Sequence, residues 1–145
     1  MMKRSIIAVS LSAAVFASAD QGASGSTQDL LIQKLTQVQM GLAPSDPSRV
    51  SVLLRLADLH AEKARQLAMQ EIGDGCTVCS AGTADRTKAL KFYAEALAGA
   101  SAAVKPKVHL QMGHLYEMQG QSDLAEKSYK AMLEVSTSPV EQDDS

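Results

Sequence analysis

An all-α fold is what this sequence predicts, and three observations carry the prediction. Tryptophan is absent and only 3% of residues are aromatic, while Ala, Leu, Gln, Glu and Lys recur throughout, the vocabulary of packed helices rather than of β-branched strands. Apolar residues return at spacings of three and four in several separate windows. Short clusters of Gly, Pro, Ser and Asp divide those windows into pieces of helix length.

The chain opens on Met1-Met2-Lys3-Arg4-Ser5, continues through the apolar stretch Ile6 to Phe16, and reaches Ala17-Ser18-Ala19 before its first acid, Asp20. A basic start, a short apolar middle and small residues at the end read as a secretory signal peptide, residues 1–19, with cleavage after Ala19. A membrane span needs about 20 apolar residues, and this stretch supplies roughly a dozen. The mature form is therefore expected to carry no integral span and to be periplasmic or secreted. No cysteine lies near the cleavage point, so a bacterial lipoprotein anchor has no residue to acylate. Lys3 and Arg4 are the only charges in the segment; without them 12 basic residues face 16 acidic ones, a net charge near -4. That balance offers a polyanion nothing to condense on, which argues against nucleic acid as a partner. The remaining 126 residues suffice for one hydrophobic core.

Residues 20–28 are small and polar and read as a flexible leader. A first amphipathic helix is expected over 29–42, with Leu31, Leu35, Val38 and Leu42 recurring at spacings of four and three. Pro44 and Ser45 end it, and Asp46-Pro47 pairs an N-cap oxygen with a ring suited to the first helical position, so the second helix is placed to start there. From Ser48, Val52, Leu53, Leu56, Leu59, Leu67 and Met69, interleaved with alanines, hold a helical period until the turn-rich segment 72–83. That loop holds both cysteines, Cys76 and Cys79. Ala89, Leu90, Phe92, Tyr93, Ala96 and Leu97 mark a third helix ending before Gly99. A fourth is expected from about Pro106 to Gln119 and a fifth from about Ser122 to Val135, with Gly120 at the turn between them. Residues 140–145 read as an acidic, disordered tail.

Measured from Pro106, the last two helices place Met112-Gly113 as a large–small pair, Tyr116 three residues on, Gly120 at the turn, Ala125 in the second helix, then Tyr129, Met132 and Leu133. This spacing resembles a tetratricopeptide repeat ending at Pro139, with His109 where an aromatic is usual and Met132 where alanine is usual. A degraded earlier copy takes Leu56-Ala57 as the large–small pair and Ala89, Tyr93, Ala96 and Leu97 as its second-helix positions. About twenty extra residues separate its halves. The resemblance covers Val50 to Pro139 and is strongest in the final third. It implies stacked helical hairpins over 47–139, about two repeats, in which Ala57 and Gly113 meet Ala89 and Ala125 at close helix crossings. Two repeats are fewer than the three a stacked core usually needs. The first helix is the natural cap, on its own molecule or, through its Leu31, Leu35 and Val38 edge, against a second copy. The intramolecular arrangement is the favoured one, because so short a stripe makes a marginal coiled coil.

Stacked hairpins leave a concave face lined by the first helix of each repeat. The resemblance maps its exposed positions to Leu54, Asp58 and Glu62 in the first copy and to Leu110, His114, Glu117 and Met118 in the second. Mixed apolar and acidic chemistry fits a protein or peptide segment that is amphipathic or basic. The lysine and asparagine cluster with which some family members clamp a terminal carboxylate is missing. The alternative for all seven is ordinary surface or contacts to a missing helix.

Cys76 and Cys79, three apart in a Gly-rich loop of an exported chain, read first as a local disulfide. A thiol–disulfide redox role is the rival function, but it would need a helix N-terminus or a cation beside the thiolate, and Asp74 works against an anion. Ser80 stands where haem attachment would require histidine. A zinc site would have to recruit His60, His109 or His114; His109 and His114, five residues apart, point in different directions on a helix. His60 and His109 fall at packing positions. No nucleophile–base arrangement, phosphate-cradling glycine loop or carboxylate pair stands out, so the sequence points to no enzyme, no metal and no cofactor. It points to an exported binding scaffold.

Overall fold

The computed structural model describes residues 22–76 and 80–138. Among the described residues every regular element is an α-helix: α1 (Gly22–Gly41), α2 (Arg49–Gly73), α3 (Thr83–Leu97), α4 (Lys105–Met118) and α5 (Ser122–Thr137). The all-α prediction holds, with α2 and α3 forming one antiparallel hairpin and α4 and α5 a second. Helix α1 packs on α2, and α3 packs on α4, so neighbours in sequence are neighbours in space. The expected signal peptide, Cys79 and the tail 140–145 lie outside the described residues. No described helix is long and apolar enough to cross a membrane.

Two boundaries differ from expectation. Helix α1 begins at Gly22, so the leader expected over 20–28 is helical from Gly22 onward. Once a downstream turn exists, each added residue gains a backbone hydrogen bond without a new nucleation cost, and small polar residues can follow. The Gln28 amide then donates to the Leu59 carbonyl at 3.1 Å. Helix α2 begins at Arg49 rather than at Pro47: the Arg49 N–H closes a tight turn on the Asp46 carbonyl at 3.0 Å before the first α-helical bond, and the Asp46 carboxylate accepts from the backbone N–H and hydroxyl of Ser48, at 2.9 and 2.5 Å. Those two bonds hold the Asp46 carboxyl below its ordinary pKa.

The core runs through both hairpins as one cluster: Ala57 and Ala61 from α2, Ala89, Leu90 and Tyr93 from α3, and Val108, Met112 and Leu115 from α4. Ala57 and Ala89 are fully buried and Ala125 nearly so. Their small side chains are what lets the helix pairs cross closely. Gly113 is buried beneath α5, and a Cβ there would overlap the Tyr129 ring. Leu56 is fully buried as well, and its removal from water contributes about 2–3 kcal/mol. The tight turn between α4 and α5 closes on Gly120 at φ +70°, with the Gln121 N–H reaching back to the Tyr116 carbonyl at 2.9 Å. Only a residue free to adopt the left-handed conformation makes that six-to-one closure cheaply.

The segment between α2 and α3 is clamped from both ends. The Glu71 carboxylate accepts the Ala81 N–H at 2.5 Å, and Arg86 donates to the Ala81 carbonyl at 3.4 Å and the Thr83 hydroxyl at 3.0 Å. Arg86 is buried, with its Nε lacking a hydrogen-bond partner among the described residues. At the opposite end, Arg49 donates to the Gln39 and Leu42 carbonyls, each at 3.3 Å, and approaches Glu95 at 3.9 Å. It thus satisfies orphan carbonyls at the end of α1 while reaching α3.

Candidate functional site

Helices α2 and α4 carry all seven residues expected to line a binding face. Taking Ala57 and Gly113 as equivalent, Leu54 corresponds to Leu110, Asp58 to His114 and Glu62 to Met118. Each trio is spaced at i, i+4 and i+8, which keeps it on one side of its helix. Leu54 is half-buried against the core cluster, and Leu110 is half-buried too. Asp58, His114, Glu117 and Met118 are exposed, and Glu62 is intermediate.

The structure brings to two of these positions a device that the sequence reading missed. Tyr93 of α3 donates its hydroxyl to Asp58 Oδ1 at 2.5 Å. Tyr129 of α5 pairs its hydroxyl with His114 Nδ1 at 3.2 Å, and the two rings meet edge to face at 5.8 Å. Both tyrosines stand four residues after the buried alanine of their helix, Ala89 or Ala125. Each therefore reaches through its own hairpin to the residue following the small one in the helix before it. That shared register was the signal available in the sequence.

Burial, and then the bond to Asp58, raises the Tyr93 phenol far above its usual pKa. Tyr93 consequently stays a neutral donor, and the exposed Asp58 carboxylate is held in place by it. Burial and the neighbouring Glu117 carboxylate likewise raise Tyr129. Glu117 also lies 3.7 Å from His114 on the same helix face. On α2, Glu62 is held by Arg65 one turn on and by the Gln66 amide at 3.2 Å. Arg55 and Arg65 are exposed on the same helix, so Asp58 and Glu62 are flanked by basic side chains. Among the described residues no hydrogen bond or ion pair runs from the α2 trio to the α4 trio. Each is fixed from its own helix or from behind.

The remaining histidines sit as packing groups. His60 is buried, donates its Nδ1–H to Asp85 Oδ1 at 2.7 Å, and stacks on Phe92 at 5.7 Å. Burial, and then the Lys105 ammonium, lowers the His109 pKa. Among the described residues no group of three or more His, Cys, Asp or Glu side chains converges with metal-site geometry. Cys76 closes the described part of its loop and Cys79 lies beyond it, while α3 starts at Thr83. The first helical residue is thus four positions past the second cysteine, not adjacent to it.

Compared with known proteins, the chain matches no family model, no curated protein and no solved structure.

Proposed function

We propose that this chain is an exported binding scaffold, acting in the periplasm or outside the cell, which holds a segment of a partner protein or peptide along the exposed sides of α2 and α4. The observation that supports it most is the duplicated anchoring of Asp58 by Tyr93 and of His114 by Tyr129. A side chain on an ordinary surface is free to rotate; Asp58, held by the buried Tyr93, and His114, contacted by the partly exposed Tyr129, have lost part of the rotamer freedom that binding would otherwise remove. Around them stand Leu54, Leu110 and Met118 for apolar contact and Glu62 and Glu117 for charge. The pattern suits an extended or helical segment with apolar side chains and at least one basic group. The helical hairpins are read as tetratricopeptide-like, with α2 and α4 as first helices. Cys76 and Cys79 are assigned to stapling the loop between α2 and α3, a local closure of modest effect on the whole fold.

Capture from envelope extract with the wild-type chain and with an Asp58→Lys, Glu62→Lys, Glu117→Lys variant tests this reading. The expected result is one partner recovered in stoichiometric amount by the wild type and lost by the variant, with helical circular dichroism unchanged. Equal recovery by both would remove the groove. Loss of the partner on replacing Cys76 and Cys79 by serine, at unchanged stability, would instead favour a thiol-based function.

A further inference from the structure

His114 and Met118 form a pairing that no other described part of the surface repeats. They stand four residues apart on α4, so their side chains leave one side of the helix with Cβ atoms about 5–6 Å apart. Both reach solvent: the His114 side chain is 55% exposed and Met118 48%. Met40, Met69 and Met132 have no histidine within a turn on either side. Met112 lies one turn from His109 but is buried in the core cluster.

The His114 ring is held by one edge. Tyr129 meets it edge to face at 5.8 Å with its hydroxyl 3.2 Å from Nδ1, and Glu117 Oε2 lies 3.7 Å from the same nitrogen. A carboxylate there favours the ring proton at Nδ1, which donates to the tyrosine oxygen. Nε2 then keeps its lone pair, and no hydrogen bond or ion pair among the described residues takes it. A histidine that ligates a metal is arranged in this way, its second nitrogen fixed by an oxygen group that sets tautomer and orientation.

We propose that His114 Nε2 and the Met118 thioether bind a soft monovalent cation, Cu(I) or its analogue Ag(I), with Tyr129 and Glu117 as positioning residues. The donor set decides the ion. A thioether selects soft ions such as Cu(I), whereas Mg²⁺ and Ca²⁺ require oxygen. Zinc takes three or four protein ligands, and among the described residues no group of three His, Cys, Asp or Glu side chains forms. Cu(I) and Ag(I) accept coordination by two donors. Charge agrees, since α4 ends at Met118 and the last turn of a helix favours a cation. Glu117 stands beside the pair, and the nearest lysine of α4, Lys107, is about 10 Å back along the axis. The site needs no protein partner, so it stands whether or not the scaffold reading does.

Titration of the exported chain with silver nitrate in chloride-free buffer tests the proposal, because it needs no reductant and leaves Cys76 and Cys79 as they are. Nuclear magnetic resonance of the histidine ring nitrogens and methionine methyls locates the ion. One Ag(I) per chain is expected, shifting His114 Nε2 and the Met118 methyl together. Met118→Leu and His114→Gln each abolish that coupled shift, and Met40→Leu leaves it unchanged. Tyr129→Phe keeps the ring but weakens binding about 10-fold, and it mixes the two His114 tautomers in the metal-free chain, which a merely structural role would not do. Circular dichroism confirms that each form is folded. The proposal is overturned if His114 and Met118 stay silent at excess Ag(I), or if Met118→Leu binds as well as the wild type. Coordination through Nδ1, or Zn(II) bound more tightly than Ag(I) at His114, overturns it too.

Discussion

Gly113 and Ala57 occupy equivalent places, yet one is glycine because Tyr129 lies against it. A methyl group at Gly113 would overlap the Tyr129 ring, and that ring is also the one whose hydroxyl meets His114. Ala57, by contrast, is accommodated and fully buried. Gly113→Ala should therefore push Tyr129 outward, lowering stability by about 1–3 kcal/mol through overpacking. The helix propensity gained in exchange, at most about 1 kcal/mol, does not offset this. Thermal unfolding measures the net change. Nuclear magnetic resonance of His114 should show loss of the tyrosine contact, and a variant as stable as the wild type with an unshifted His114 spectrum would contradict the packing argument. The same chemistry explains why Asp58 and His114 differ in type but not in role, since a phenol hydroxyl can serve a carboxylate or an imidazole equally well.

At the scale of elements, α1 is the least secured. It packs on α2, with the Lys63–Asp29 pair, the Gln28–Leu59 bond and the Arg49 contacts as its polar ties. The pair raises the Lys63 pKa, chiefly through the hydrogen bond to Asp29. A shift of that sign contributes stability that is intact below the free lysine value and is lost as pH rises above it. Both partners are partly exposed, so breaking the pair costs no more than about 1 kcal/mol. Hydrogen exchange should accordingly find amides of α1 exchanging well before the buried turns of α2 and α3, and Lys63→Met should speed α1 alone. Exchange of α1 and α2 as a single unit would show the two to be welded.

How far each element was legible follows from its physics. Helices α3, α4 and α5 were readable because apolar period, bounding glycines and a tight turn agreed. The first turns of α1 were not, because Gly22 to Thr27 carry no periodic signal and are helical only by continuation from residues beyond them. The start of α2 moved because residues 46–49 close a tight turn, with the Arg49 N–H on the Asp46 carbonyl, before the α-helical bonds begin. The seven face residues could be placed on α2 and α4 from spacing alone. Their tyrosine anchors, 35 and 15 residues away in sequence, required the hairpins to be closed first.

On the scale of the whole molecule, the two ends of the stack differ in kind. The end of the first hairpin that receives α4 offers Ala61 and Leu90 to the core cluster. Counted from Gly113 and Ala125, the same two places in the second hairpin are Glu117 and Glu126, both exposed. Glu126 is further occupied by Lys130 at 2.6 Å, which lowers the carboxyl pKa. A third hairpin arriving as the second one did would have to bury two carboxylates, which opposes growth after α5, while Leu133, the counterpart of Leu97, stands exposed there. Glu117→Ala with Glu126→Leu should remove that opposition. The doubly opened end is expected to produce new assemblies in ultracentrifugation. A strictly monomeric species would mean that something other than these two acids terminates the array.

Those two acids constrain how the molecule can acquire reach. Families that grow by adding modules along one axis lengthen their grip a module at a time, each copy extending the last. With Glu117 and Glu126 exposed at one end, lengthening in that direction would carry the cost of two buried carboxylates, so added reach has to come from elsewhere on the molecule.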